Sequence, residues 1–166
     1  MRKKCFAPVV DERTRLLVLG SLPGEKSLAQ GEYYANRQNC FWHLMSSVID
    51  ADLVTMSYGH KLDELRRCGI GLWDVVAEAT REGSLDSRIR AHEKNDLLGL
   101  IQSLPELKAI AFNGAKALKL GLKVIGSNAE QFSLLALPSS SAAYTLAVST
   151  KVERWRALRD VLIVPT

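Results

Sequence analysis

Apolar residues along the chain gather into four short runs, separated by stretches in which they recur every three or four positions. The runs are Arg15 to Gly20, Gly69 to Val76, Lys108 to Phe112 and Phe132 to Leu137. Their length fits strands, and their alternation with helical patterns predicts an α/β fold with a parallel sheet covered by helices. Between the first two runs, Phe41, Leu44/Met45 and Val48/Ile49 repeat at helical spacing, and Leu62/Leu65 follow with Gly69 placed to close the turn. Another helix is expected from Asn95-Asp96 through Leu97/Leu98 and Ile101 to Pro105, and a short one from Gly114 through Ala117/Leu118. Thr150-Lys151-Val152-Glu153 fits a capping box, so the last helix is expected to start there, with Val152, Trp155, Leu158 and Leu162 as its buried stripe. Ala79 to Asn95, rich in charge and poor in periodicity, reads as the longest loop and as a substrate-facing excursion.

Ligands of open parallel sheets sit beyond the carboxyl ends of the strands. That rule puts Gly20-Ser21-Leu22-Pro23-Gly24, Trp73-Asp74, Asn113-Gly114 and Ser139-Ser140-Ser141 on one rim. Composition narrows the setting. A chain of 166 residues, 47% hydrophobic and 24% charged, is expected to form one domain over residues 1–166. No apolar run approaches the roughly 20 residues that span a bilayer, and Met1 to Pro8 has basic residues without a sustained apolar core. A monomer in the cytosol or on the nucleoid is the expectation. Cys5, Cys40 and Cys68 are too few and too scattered for a disulfide framework or a paired-cysteine metal site. The net charge of +4 is mild, but Arg2-Lys3-Lys4, Arg66-Arg67, Arg88/Arg90 and Lys151/Arg154/Arg156/Arg159 could together face phosphates, or simply be solvated surface.

Gly20 to Ser27 nearly spells a phosphate-binding loop, with Lys26 and Ser27 in register. Glu25 stands at the required second glycine, where a carboxylate repels phosphate and a side chain blocks close approach. The next segment crowds Tyr33, Tyr34, Phe41 and Trp42 around Asn36, Arg37, Gln38 and Asn39. Aromatic faces with amide donors and acceptors are what a flipped base requires. The plainer reading makes Phe41 and Trp42 core and Asn39 a helix cap. Ser139-Ser140-Ser141 offers hydroxyls and N–H groups to a phosphate, or is a serine-rich turn. Asn113-Gly114-Ala115-Lys116 is a helix start that accepts an anion, or a tight turn. Paired carboxylates, a Ser/His/Asp set and metal-ligand spacing are all missing, so positioning and hydrogen bonding must carry any chemistry.

Ordered along the chain are Val18-Leu19-Gly20-Ser21-Leu22-Pro23-Gly24, Glu32-Tyr33-Tyr34, Asn39-x-Phe41-Trp42 and Gly69-Ile70-Gly71-Leu72-Trp73-Asp74-Val75. Gly83-Ser84-Leu85-Asp86, Phe112-Asn113-Gly114 and Leu137-Pro138-Ser139 follow. This set resembles the hypoxanthine-DNA glycosylase (deoxyinosine glycosylase) branch of the uracil-DNA glycosylase superfamily. The resemblance implies a three-layer α/β/α sandwich with a central four-stranded parallel sheet. Uracil-excising and mismatch-specific relatives activate water with an Asn or Asp in the first motif, where this chain has Leu22. The hypoxanthine branch carries its important Asn before x-Phe-Trp, which maps onto Asn39, and Tyr34 falls where mismatch-specific relatives stack an aromatic on the base. The family commonly has His-Pro-Arg where this chain has Asn36-Arg37-Gln38, and proline where Ala142 stands. Three cysteines cannot reproduce the iron–sulfur site of other branches, so no cofactor or metal is expected.

On this resemblance the partner is DNA containing a deaminated base, hypoxanthine first and uracil second, released by hydrolysis after flipping. Asn39 is the expected catalytic residue, binding the base edge or orienting water. The base would be held by Gly20, Ser21, Leu22, Pro23, Tyr34, Phe41 and Asn113, with N–H groups of the Gly20 to Gly24 loop and a nearby helix start facing the departing anion. Ser139, Ser140, Ser141 and Lys116 would meet DNA, and Tyr144 would fill the space the base vacates. No lysine is expected in the pocket, hence no Schiff-base step. Two other readings stay open: a non-catalytic damaged-DNA sensor, and a phosphate-loop nucleotide-binding protein.

Overall fold

The computed structural model describes residues 2–4, 6–81 and 89–162, with the backbone alone for 2–4, 77–81 and 89–94. Cys5, Arg88 and the Gly83-Ser84-Leu85-Asp86 motif lie outside the described residues. In chain order the elements are β1 (Arg2–Lys4), β2 (Leu16–Gly20), α1 (Glu25–Gln30), α2 (Phe41–Ile49), α3 (Tyr58–Arg67), β3 (Ile70–Asp74), β4 (Val76–Arg81) and β5 (Ile89–Lys94). Then come α4 (Leu97–Ser103), β6 (Ala109–Asn113), α5 (Ala115–Ile125), a 3₁₀ turn (Gly126–Gln131), β7 (Ser133–Leu137), α6 (Val148–Trp155) and α7 (Leu158–Leu162).

Strands β3, β2, β6 and β7 lie in that order in a four-stranded sheet, every pair parallel. The four apolar runs are these strands. Strand side chains alternate between faces, and the alternation sorts the core into two layers. Leu16 and Val18 of β2, with Ala109 and Ala111 of β6, pack on Phe41, Leu44, Met45, Leu65 and Trp155. Leu17 and Leu19, with Ile110 and Phe112, pack on Leu97, Ile101, Ala117 and Leu120. Helices α2, α3 and α6 thus cover one face and α4 and α5 the other, which is the expected α/β/α sandwich. The small side chains of Ala109 and Ala111 leave room for the two large rings of the first layer.

Several local readings hold. Gly69 follows α3 with φ +76, a backbone conformation that favours glycine. Asp96 caps α4 by accepting the Gly99 N–H at 3.0 Å. Others are corrected. Residues 79–95 do not form one long loop: β4 and β5 pair antiparallel with β1 alongside, and Ala79 stands opposite His92. The capping box is not used, because α6 starts a turn earlier and the Thr150 and Lys151 N–H groups bond the Ala147 carbonyl. The last helix is also broken at residues 156–157, although Trp155 and Leu158 are both fully buried as expected.

Several members of the basic clusters among the described residues are engaged locally. Arg66 pairs with Asp63 at 3.3 Å and Arg67 with Glu64 at 2.8 Å, both along α3. Arg159 pairs with Asp50 and donates to the Ser47 and Val48 carbonyls at the end of α2, where a cation suits the helix dipole. Lys151 is buried. No helix of the described residues is long and apolar enough to cross a membrane.

Candidate active site

The carboxyl ends of β2, β3, β6 and β7 surround a cleft of about 240 Å³. This lies just under the range of small-molecule sites, roughly 300–1,000 Å³, and matches one small ring system rather than an extended ligand. It is lined by Gly20 to Gly24, by Tyr34, Asn36, Gln38 and Asn39 from the chain before α2, by Asp74, by Asn113 and by Ser139 to Ala143. The strand-end rule brings most of the expected rim together; Trp73 and Gly114 do not line the cleft, and Trp73 instead packs on the core and donates to the Phe6 carbonyl at 2.9 Å.

Gly20 sits at the closest approach. A Cβ there would stand 2.7 Å from Asp74 Oδ1 and 3.0 Å from Tyr34 Oη, so only glycine lets β2 end between them. Tyr34 itself has φ 55, a conformation unusual for a bulky side chain. Its ring is stacked on Phe41, centroids 3.8 Å apart and planes 18° apart, and Asn113 Nδ2 approaches its hydroxyl at 3.4 Å. Phe41 is fully buried and does not line the cleft. Direct base contact by Phe41 is thus replaced by support of the Tyr34 ring, and Trp42, also buried, donates to the Tyr33 carbonyl at 3.2 Å.

Two Asx turns shape the segment before α2. Asn36 Oδ1 accepts the Gln38 N–H and Asn39 Oδ1 accepts the Phe41 N–H, each at 3.0 Å. The Asn39 bond fixes the amide orientation, because only oxygen can accept from an N–H. Asn39 is half-buried and lines the cleft. Asn39 is not the cap of α2, which is Cys40; its oxygen orders the backbone one residue ahead of that cap, and its Nδ2 is the donor end of the amide.

Asn113 is engaged differently from the expectation. Its Oδ1 accepts the Ser140 N–H and its Nδ2 donates to Ser140 Oγ, both at 2.9 Å. Ser140 in turn accepts the Cys40 N–H at 3.1 Å and its thiol at 3.4 Å on the main-chain carbonyl. One residue thereby ties β6, the serine loop and the Asn39 segment. Burial pushes the Cys40 thiol pKa up, against the opposing pull of the Lys151 charge. The loop continues with Ser139 Oγ accepting the Ser141 N–H at 3.1 Å and Ser141 Oγ accepting the Ala143 N–H at 3.2 Å. Lys151 Nζ donates to the Ser141 carbonyl at 3.1 Å and stands 5.4 Å from the centre of the exposed Tyr144 ring. Gly114, φ +96, presses against Ser139 at the start of α5, so the loop lies beside a helix N-terminus. Lys116, on the first turn of α5, does not line the cleft.

Lys26 does line it, exposed at the mouth, contrary to the expectation of no lysine there; the first turn of α1 faces the cleft. Ser27 also lines the cleft; it is buried, and its hydroxyl oxygen accepts the Ala35 N–H at 3.0 Å. Asp74, 3% exposed, lines the cleft; the sequence placed it on the rim, weighing it only as an imitation of the magnesium-binding partner of a phosphate loop. The available signal was its place at the carboxyl end of an apolar run, and the structure sets it opposite Gly20.

Fold and site define an α/β protein with a base-sized, amide-lined cleft at the carboxyl ends of its strands. A family model described as the uracil DNA glycosylase superfamily matches residues 7–161, and the chain belongs to that superfamily. It is 40% identical over 158 residues to a hypoxanthine DNA glycosylase of Methanosarcina acetivorans, covering 95% of this chain and 98% of the relative. A hypoxanthine DNA glycosylase of Methanosarcina barkeri is 44% identical over 117 residues, 70% of this chain and 74% of the relative. A solution NMR structure from Methanosarcina acetivorans, described as a candidate uracil DNA glycosylase, superposes with a TM-score of 0.85 at 40% identity. The match covers 97% of this chain and 99% of that one.

Proposed function

We propose that this chain excises deaminated bases from DNA, hypoxanthine ahead of uracil, as one domain that hydrolyses the N-glycosidic bond and leaves an abasic site. Both the superfamily and the names of the relatives support this reading. The observation that carries it is the Asn39 amide, locked by the Phe41 N–H so that Nδ2 is the donor left for the cleft. Deamination turns an exocyclic amino donor into a carbonyl acceptor, so a fixed donor attracts hypoxanthine or uracil and repels adenine or cytosine. Guanine and thymine also carry carbonyls, but flipping costs least for a mismatched base, and deamination itself creates the mismatch.

Tyr34 offers the flipped ring a stacking face, held rigid by Phe41 behind it. Glycosidic cleavage leaves negative charge on the base, and a preorganised Nδ2 donor stabilises that charge as it develops. Lys26 at the mouth and the serine loop beside α5 suit the flanking phosphates. Tyr144, 45% exposed beside Lys151, is the side chain for the vacated stack.

Oligonucleotides bearing hypoxanthine, uracil, xanthine or mismatched thymine, treated with alkali after incubation, test the reading by strand scission. Asn39→Ala should slow single-turnover release by about 10²–10³-fold while binding to DNA survives. Because Lys26 lines the cleft, borohydride trapping is the check on the hydrolytic reading, which expects no covalent adduct. Release from none of the oligonucleotides would leave the sensor reading in its place.

A further inference from the structure

Leu22, at the position where relatives carry a water-activating acid or amide, is buried among Val75, Leu97 and Phe112 in the second core layer. Its side chain cannot activate water. Among the described residues that line the cleft, Asp74 is the only carboxylate, and it comes from the neighbouring strand. It stands directly opposite Gly20 in the parallel register, so its Oδ1 reaches the foot of the same first-motif loop. The backbone holding it is locked on both sides. Asn95 Nδ2 bonds the Asp74 carbonyl at 2.7 Å, and the Val75 N–H bonds the Gly20 carbonyl at 2.8 Å. Desolvating a carboxylate is costly, and clefts that perform acid–base chemistry are where such groups concentrate.

We propose that Asp74 is the catalytic carboxylate of this site, acting from β3 in place of the missing acid of the first motif; this rests on the glycosylase reading above. The C1′–N bond breaks with its electron pair leaving on the base, and positive charge develops on the sugar. The Asp74 carboxylate stabilises that charge and orients a water, whose oxygen bonds C1′ as its proton passes to Asp74. The base anion takes a proton from solvent, and Asp74 returns its own to solvent. One water is consumed, and the products are the neutral base and an abasic sugar. Asn39 and Asp74 then divide the work: one answers the negative charge on the base, the other the positive charge on the sugar.

The wild-type chain should lose single-turnover excision of hypoxanthine toward acid pH, as Asp74 takes up its proton. Asp74→Asn, close in shape, should lower the rate by about 10²–10⁴-fold and abolish that acid limb, with affinity for an abasic duplex unchanged. Asp74→Glu should keep the limb. A purely structural Asp74 would change stability without removing the limb. Equal rates in wild type and Asp74→Asn, or an unaltered limb in the variant, would overturn the assignment. If Asp74→Asn fails to fold, the wild-type profile still decides, because a rate that stays flat into acid pH also overturns it. A wild-type chain that releases no base sinks the glycosylase reading and this one together, whereas an active wild type with an indifferent Asp74→Asn sinks only this one.

Discussion

Two glycine-to-alanine substitutions should move stability in opposite directions. At Gly20 the added methyl would sit 2.7 Å from Asp74 Oδ1 and 3.0 Å from Tyr34 Oη, where ordinary contacts begin near 3.4 Å. Both oxygens must retreat by several tenths of an ångström, yet neither side chain is free to do so at no cost. Asp74 is buried on a paired strand, and the Tyr34 ring is stacked on Phe41. Overpacking of this kind costs about 1–3 kcal/mol. For a chain of 166 residues each kcal/mol is worth about 3 °C, so Gly20→Ala should melt about 3–9 °C lower. Displacing two cleft residues should also slow single-turnover excision, by about 10²-fold for a shift approaching 1 Å. At Gly59, on the exposed face of α3, an added Cβ meets nothing within 4 Å, and Gly59→Ala should stabilise by up to about 1 kcal/mol through helix propensity. Thermal melts and a single-turnover assay on both variants decide. A Gly20→Ala chain as stable and as active as wild type would refute the convergence of Asp74 and Tyr34 on Gly20, and with it the geometry assigned to the cleft floor.

Lys151→Met removes the Nζ bond to the Ser141 carbonyl and the charge beside Tyr144, and should cost about 1–3 kcal/mol in urea unfolding and weaken binding to an abasic duplex. The same substitution removes the charge that opposes the effect of burial on Cys40, so the pH at which a thiol reagent begins to react with Cys40 should move further up. Burial also raises Cys68, and a folded-state pKa above the unfolded value gives stability that is present below the unfolded pKa and lost above it. The urea midpoint should therefore fall as pH rises through about 9, and fall less when both cysteines are replaced by alanine.

Strands β2, β3 and β6 were legible in the sequence because strands buried on both faces must be apolar throughout, whereas β7, mostly exposed at the sheet edge, was legible only as a short apolar run. Arg15 to Gly20 and Lys108 to Phe112 could hardly be anything else. The β4–β5 pairing was hidden because its polar segments, Val76–Arg81 and Ile89–Lys94, are organised by backbone ladder bonds, which leave no periodic signature. The start of α6 was misplaced because a capping box is a local preference, and here Ala147 supplies the first carbonyl acceptor. Asn39 was singled out by the family resemblance, on its place before x-Phe-Trp, and the structure puts it on the cleft lining. Asp74 and Ser140 were legible as rim residues, but their partners were not, since these lie far along the chain: Gly20 across the sheet for one, Asn113 and Cys40 for the other.

Ser140 makes the site a caliper. Because one residue fastens the serine loop to both β6 and the segment carrying Asn39, the span between the proposed phosphate-facing loop and the proposed base-reading amide is tied to the fold. Under the proposed roles, a nucleotide swung out of the helix is the one expected to meet both jaws. On this reading the protein recognises damage by how far a base has already left its partner, and reads its chemistry only afterwards.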